Sequence, residues 1–280
     1  MKKMKMHTRK QVGNIAAYTL LIVIGIAFAV PALWLLFAAF DPTATLAIKI
    51  PEKWTLENFK VILEKNGMLR GFLNSLIIAG STTLIIDVVS IMAAYPLSRF
   101  KSKAATKVSL GLLFLTSLPA SAMMLSTYKL LVKFHQIDSL FGVIMVMSAS
   151  GTPYAIWMFK NFMDSVSIDL EEAAWVDGAT KGQAIRKVLL PLMLPGFITV
   201  TTYNFINAWG NFYTPFLTLM SADKFPASVN IYRLYDVHGL VVYGQVAAYA
   251  VMYIIPIFIL YHFSQDNMSQ GFSMGGATKG

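Results

Sequence analysis

Three carboxylates stand close together in the stretch EEAAWVDGATKGQAIRKVLLPLMLPG, which runs from Glu171 to Gly196. Glu172 can accept a charge-assisted hydrogen bond from a basic partner, and the alanines after it leave room for close approach. Only 13% of the chain is charged, against roughly 25% in an ordinary soluble domain. An acidic segment in such an apolar chain favours contact with another protein.

The same stretch and the residues before it carry start and stop signals for two short helices. Ser167 can cap a helix that begins at Ile168, and Gly178 can take the positive φ that ends it. Thr180 and Gln183 have the spacing of a capping box, which predicts a second helix there. Such a hairpin either lies on lipid headgroups or fits a groove on a cytoplasmic protein. The carboxylates favour the groove, because the anionic inner leaflet repels them.

A second group of polar residues crowds one apolar segment: Asn204, Asn207, Trp209, Asn211 and Tyr213. Amides hydrogen-bond hydroxyl groups and Trp offers a flat face to a sugar ring, so the group suits a carbohydrate path. Hydrogen bonds between membrane helices are the alternative explanation. For Asn207 and Asn211, which lie one helical turn apart, both explanations stay open.

The other residues that could do chemistry are dispersed. Asp87 lies within a predicted span, where an ionisable side chain suggests a function, but no carboxylate or histidine at its depth is evident as a partner for a proton relay. We expect it to hydrogen-bond a neighbouring helix or to line a cavity. The four histidines are scattered, which disfavours a membrane-embedded enzyme. The chain has no Cys and no G-x-x-x-x-G-K-[ST] loop, so we expect neither thiolate chemistry nor ATP hydrolysis in it.

Apolar runs near the roughly 20 residues needed to cross a bilayer recur along the chain, which is 56% hydrophobic. They predict six transmembrane helices, at residues 15–40, 72–97, 106–130, 138–162, 192–220 and 244–264. Prolines inside the spans, such as Pro119 and Pro153, predict kinks or local breaks. The first run could be a cleaved signal peptide, but it continues unbroken to Phe40, so we expect a retained helix.

Most Lys and Arg residues fall on one set of alternating segments, which the positive-inside rule makes cytoplasmic. We therefore expect cytoplasmic tails at 1–14 and 265–280 and a six-span domain at 15–264. The acidic hairpin then lies in a cytoplasmic loop at 163–191. The net charge is +9, but the basic residues are scattered between the spans rather than gathered in a stripe. We therefore expect no nucleic-acid partner.

The segment WTLENFKVILEKNG, in a predicted outer loop, predicts a short amphipathic helix. Thr55 can cap its start, and its apolar face would carry Leu56, Phe59, Ile62 and Leu63. Such a helix either meets a soluble partner or anchors the loop at the membrane interface.

The residues Glu172-Ala173-Ala174, Gly178 and Leu190-Pro191 resemble the EAA loop of permease subunits in ATP-binding-cassette importers. With Asp177 and Ala179 the loop resembles the carbohydrate-importer branch, and the smaller maltose-type permease in particular. The resemblance covers nearly the whole chain, through WTLENF, NSL, AAYPLSRF, IDSLFG, IWMFKNF, FINAWGNF and GGATKG. Two departures are Ser167, where the family often has Pro, and Gly210, where many relatives have Asn.

The resemblance implies an all-α integral membrane protein of a prokaryotic cytoplasmic membrane, with the EAA loop between the fourth and fifth of six helices. It implies a permease that is not itself an enzyme and that works with a second permease, two ATP-binding subunits and an extracytoplasmic solute-binding protein on a sugar or oligosaccharide. ATP and Mg would bind in the partner subunits, and this chain would hold no cofactor or metal. The residues that would couple to the ATPase are Glu172, Ala173, Ala174, Asp177, Gly178 and Pro191.

An ion-coupled secondary transporter of small solutes is the leading alternative. Such a transporter should show coupling-ion residues and an internal repeat. The sequence offers one isolated Asp87 and no convincing repeat, which favours the importer permease.

Overall fold

The computed structural model describes residues 2–65, 67–100, 102–234 and 241–277, and within these ranges the chain forms helices and no β-strand. The α-helices, in chain order, are α1 (Lys2–Phe40), α2 (Glu57–Glu64), α3 (Met68–Arg99), α4 (Lys103–Thr116), α5 (Ala120–Lys133), α6 (Leu140–Asp164), α7 (Asp169–Val176), α8 (Lys181–Ala184), α9 (Leu190–Leu192), α10 (Leu194–Trp209), α11 (Tyr213–Thr218), α12 (Ala227–Asn230) and α13 (Tyr243–Ala277). A π-helical turn, Ile185–Leu189, joins α8 to α9, and a 3₁₀ turn, Ile231–Leu234, follows α12.

Four helical stretches within the described ranges are long and apolar enough to cross a membrane alone: Ala17–Phe40, Met68–Arg99, Leu140–Asp164 and Tyr243–Asn267. Two further pairs pass the same test only together. These are Lys103–Thr116 with Ser121–Lys133, bent by 95°, and Lys181–Leu192 with Leu194–Trp209, bent by 77°. Length and composition therefore allow four to six spans. The number is six if each bent pair forms one span.

The predicted third span, 106–130, is not one continuous helix. It breaks between Thr116 and Ala120, where Pro119 cannot donate a backbone hydrogen bond and restricts the residue before it. The hydroxyl of Ser117 donates to the carbonyl of Phe114 (2.6 Å) at the end of α4. The expected break at Pro119 is therefore confirmed, whereas α6 continues through Pro153.

The predicted fifth span, 192–220, is longer than the helix that the structure shows there. Helix α10 ends at Trp209, and a separate helix starts at Tyr213. Asn211 Oδ1 accepts a hydrogen bond of 3.0 Å from the backbone N–H of Thr214 and so stabilises this new start. A count of apolar residues cannot detect such a side-chain cap, because apolar residues continue on both sides of it.

The chain divides into two compact units, and the larger one comprises Gly67–Tyr232 and Ile255–Gly280. Its core is built from α3, α6, the π-helical turn and α10, through residues such as Phe159, Leu189 and Val200, all of which are completely buried. Gly196 lies against the ring of Phe162, where an added Cβ would overlap the ring atoms. A small residue at this point lets α10 approach α6 closely.

The smaller unit comprises Met1–Asn66 and Arg233–Ile254. Asn58 Nδ2 on α2 donates to the carbonyls of Ala39 (3.1 Å) and Asp41 (3.0 Å) at the end of α1. Of the apolar face expected on α2, Ile62 is fully buried, while Leu63 is 48% exposed. The buried face is thus rotated from the expected one, because a buried amide occupies part of it.

Candidate functional site

Helix α7 and the turn after it form the first half of the EAA-type loop. Ser167 Oγ accepts a hydrogen bond from the backbone N–H of Asp169 (3.3 Å), and the helix begins at Asp169, one residue later than predicted. Gly178 has a φ of +86°, so it ends the helix in the left-handed conformation, as expected. The Gly178 and Ala179 N–H groups donate to the carbonyls of Trp175 (3.0 Å) and Ala174 (2.9 Å).

The predicted capping box starts the second half of the loop. Thr180 Oγ1 accepts from the Gln183 N–H at 3.3 Å, and Gln183 Oε1 accepts from the Thr180 N–H at 2.8 Å. Helix α8 then runs through the π-helical turn to Pro191. A proline cannot donate to the carbonyl four residues before it, and a π-helical turn accommodates that loss.

The exposed side of α7 carries most of the residues assigned to coupling. Glu172, Ala173, Asp177, Gly178 and Pro191 are exposed, and Ala174 is half-buried. The neighbouring Val176 is 88% exposed, so the surface combines carboxylates with an apolar contact point. This composition suits a groove on another protein that offers a basic residue beside an apolar wall.

Glu171 lies on the opposite side of α7, which the sequence pattern did not indicate. Its side chain is fully buried and Oε1 accepts a bond of 2.7 Å from Arg99 Nε. Tyr95 OH donates to the other oxygen at 3.1 Å. The one available signal is the spacing of Tyr95 and Arg99, which places both on one face at the end of α3.

The five candidate path residues divide between the interior and the surface. Asn204 is buried and its Nδ2 donates to Asp87 Oδ1 (2.8 Å), while Thr201 Oγ1 donates to Asp87 Oδ2 (2.7 Å). The expected hydrogen bonding between Asp87 and a neighbouring helix is therefore present, with Asp87 as the acceptor. Trp209 is 1% exposed and packs near Phe205, with ring centroids 5.9 Å apart.

The remaining candidates are more accessible. Asn207 is exposed and bonds back to the Tyr203 carbonyl (2.9 Å), Tyr213 is 40% exposed, and Asn211 is half-buried as the cap of α11. Beside Asn207, the ring of Tyr203 contacts Tyr154 (5.0 Å), which stacks on Trp157 (5.8 Å). This aromatic strip, formed by Tyr154, Trp157 and Tyr203, was not detected in the sequence because its members lie on two helices.

A separate ionic cluster lies before α6, at the end opposite to the EAA-type loop. Asp138 accepts hydrogen bonds from the backbone N–H groups of Met220 and Ser221, both at 2.9 Å, and from Lys224 Nζ at 2.9 Å. Burial opposes ionisation of Asp138, but these bonds and one from the Ser221 hydroxyl hold its pKa well below the usual range. The cluster fixes segment 218–224 to the start of α6.

Residues 10–273 match the family model described as binding-protein-dependent transport system inner membrane component. The chain belongs to this family. The membership of an importer-permease family that the EAA-type motif indicated is confirmed, and this inner membrane component is a multi-pass membrane protein.

Curated relatives of this inner membrane component include sugar permeases. It is 25% identical over 279 residues to the maltodextrin transport system permease protein MdxG of Bacillus subtilis, covering 99% of this chain and 100% of the relative. It is 26% identical over 267 residues to the diacetylchitobiose uptake system permease protein NgcG of Streptomyces coelicolor, covering 92% and 87%.

Solved structures share the fold of this inner membrane component. A bacterial ABC transporter involved in the import of the acidic polysaccharide alginate superimposes with a TM-score of 0.80 at 19% identity, covering 92% of this chain and 97% of that one. The MetNI methionine ABC transporter superimposes with a TM-score of 0.61, also at 19% identity, over 73% and 96%. The fold is thus common to importers of different solutes, and the substrate must be argued from other features.

Proposed function

We propose that this inner membrane component forms, with a second permease, the translocation path of an ATP-driven importer for a sugar or oligosaccharide delivered by an extracytoplasmic solute-binding protein. The observation that carries the proposal is the exposed acidic and apolar side of α7, closed by Gly178 and the capping box at Thr180. The maltodextrin and diacetylchitobiose transport named for two relatives supports a carbohydrate substrate.

The contact with the ATPase is proposed at Glu172, Ala173, Ala174, Asp177 and Gly178. Glu172 accepts a charge-assisted hydrogen bond from a basic residue of the ATP-binding subunit, and the two alanines let the surfaces approach. Pro191 terminates the loop where the chain turns toward α10. ATP and Mg bind in the partner subunits, whose closure displaces α7 and drives the change between inward and outward openings.

The loop is proposed to face the cytoplasm, together with both termini. The distribution of Lys and Arg between alternating segments supports this orientation. The same orientation places the Asp138 cluster on the outer side, where the solute-binding protein approaches.

For the sugar path we propose the accessible residues Asn207 and Tyr213 together with the aromatic strip. Amide groups and aromatic faces are the groups that bind hydroxylated rings. Asn204 and Trp209 support the path from behind, because their side chains are buried, and Asn211 positions the helix that carries Tyr213.

Replacement of Glu172 by Lys tests the coupling contact. The variant should reach the membrane in normal amount but fail to copurify with the ATP-binding subunits, since the reversed charge meets a basic partner. Glu57→Lys reverses the charge of another exposed acidic residue, in the first turn of α2; it is the matched control and should assemble normally. Normal assembly and uptake by Glu172→Lys would refute the contact, and uptake that needs an ion gradient but no ATP would favour a secondary transporter instead.

A further inference from the structure

The two adjacent glutamates at the start of the EAA-type loop have opposite surroundings. Glu172 is exposed, whereas the Glu171 side chain is 0% exposed and that of its partner Arg99 is 8% exposed. Successive residues of a helix point about 100° apart, so one glutamate can face outward while the next faces the protein. The inward glutamate is held by Arg99, whose Nε lies 2.7 Å from Glu171 Oε1.

Polar contacts around this pair join three helices of the larger unit. Arg99 and Tyr95 belong to the last turns of α3, and both bind Glu171 of α7. Arg99 Nη1 also donates to the carbonyl of Met163 near the end of α6 (3.0 Å). The neighbouring Ser98 Oγ donates to Asp164 Oδ1, at 2.6 Å, on the same helix end. Helices α3, α6 and α7 are therefore tied together at one end.

The far side of the loop is attached in a different way. There Leu189 and Met193 are fully buried in the apolar cluster that also contains Phe159. Apolar contacts have no preferred direction, and the chain bends by 77° between Leu192 and Leu194. Charge-assisted hydrogen bonds fix both distance and orientation. The end of the loop at Glu171 is therefore held in a more closely defined position than the end at Leu189 and Met193.

We propose that Glu171 and Arg99 form a strut that makes α7 move as one body with α3 and α6. The displacement received at Glu172 then passes to this pair of membrane helices, while α10 follows through the bend at Met193. Both strut residues are positioning residues, since neither contacts the ATPase or the sugar. The strut rests on the proposed coupling function, because it defines where the displacement received by α7 goes.

Distance measurements on the complete importer test the strut directly. The chain has no Cys, so Leu170→Cys on α7 and Asn161→Cys on α6 take spin labels specifically, given cysteine-free partner subunits. Both positions are exposed, and closure of the ATPase subunits is followed in the same samples. The interspin distance should agree within about 2 Å, the size of ordinary helix shifts, between the nucleotide-free and ATP-bound states. A larger change in the interspin distance when the ATPase subunits close would overturn the proposal, and this result requires no substitution at Glu171 or Arg99.

Glu171→Gln supplies the second measurement. The amide keeps the size of the side chain but removes the charge that fixes Arg99, so the interspin distance should become dependent on nucleotide. Sugar uptake per ATP hydrolysed should fall roughly tenfold, within the range of coupling between distant sites, while the ATP-binding subunits still copurify. Glu64→Gln, which removes a carboxylate from an exposed i,i+4 pair with Lys60, is the control and should change nothing.

The outcomes separate the strut from the coupling contact. If Glu171→Gln abolishes copurification, Glu171 belongs to the docking surface and the strut is refuted. If it leaves both uptake per ATP and the interspin distance unchanged, the strut is refuted as well. Normal assembly of Glu172→Lys would instead refute the proposed contact and would leave the measured distances to decide whether α7 is attached to α6.

Discussion

Asn204 on α10 donates a hydrogen bond of 2.8 Å from Nδ2 to Oδ1 of Asp87 on α3, and both side chains are buried. The second carboxylate oxygen is bound by Thr201 on the same helix as Asn204. Asn204, a candidate path residue, and Asp87, which was expected to hydrogen-bond a neighbouring helix or to line a cavity, thus bind each other. Their relationship explains why each stands in an apolar helix.

Asp87→Ala should destabilise the protein by roughly 0.6–2 kcal/mol for each lost interhelical bond, because Thr201 and Asn204 are left without their acceptor. Asp87→Asn should lose less, since an amide oxygen still accepts one of the bonds. Thermal unfolding in detergent measures both effects. Ser150→Ala removes an exposed hydroxyl that bonds within its own helix and should leave the midpoint unchanged. Equal midpoints for Asp87→Ala and wild type would show that the contact is not stabilising.

Gly178→Ala should weaken copurification with the ATP-binding subunits. An added Cβ meets nothing within 4 Å, so the effect comes from the φ of +86° alone, which costs an L-residue roughly 1–2 kcal/mol. Gly182→Ala is a matched control, because its Cβ also meets nothing within 4 Å and its φ is not positive. That variant should assemble as well as the wild type. If both variants behave alike, the conformation at Gly178 has no part in docking.

Trp157→Ala and Tyr203→Ala should raise the sugar concentration needed for half-maximal uptake. An aromatic contact contributes roughly 0.5–1.5 kcal/mol, which corresponds to a rise of about two- to thirteenfold. Assembly with the ATPase should not change, because both residues lie away from the EAA-type loop. Phe141→Ala, which removes an exposed aromatic residue from α6, is the control for general loss of ring surface. Unchanged uptake by both strip variants would remove the strip from the path.

Asp138 should make the stability of the protein depend on pH only in the acidic range. Its pKa is depressed in the folded protein, so the stabilisation is fully present above the unfolded value of about 3.9. It is lost as the pH falls through the lower folded pKa. Asp138→Asn should therefore be less stable than wild type at pH 7, with a difference that shrinks below about pH 4. Unfolding midpoints between neutral and acidic pH measure this, with Glu64→Gln as the control; a constant difference would contradict the assignment.

Local signals in the sequence were sufficient for the hairpin of the EAA-type loop. Gly178 and the pair Thr180 and Gln183 specify their own turns through groups three or four residues apart, so the structure follows the pattern. The choice between Glu171 and Glu172 was not predictable, because it depends on Arg99, 72 residues away. The same holds for Asn204, whose partner Asp87 is 117 residues away. Hydropathy located the apolar segments but not the cap at Asn211 that ends the fifth one early.

Helix α6 is fastened near both ends. Asp138 and segment 218–224 hold the region before its first turn, and Arg99 and Ser98 hold its last turn through Met163 and Asp164. Its 25 residues span about 37 Å at 1.5 Å per residue. A rod of this length that tilts about its middle moves its two ends in opposite directions by equal amounts. Opening on one side of the membrane and closing on the other would then be a single lever movement.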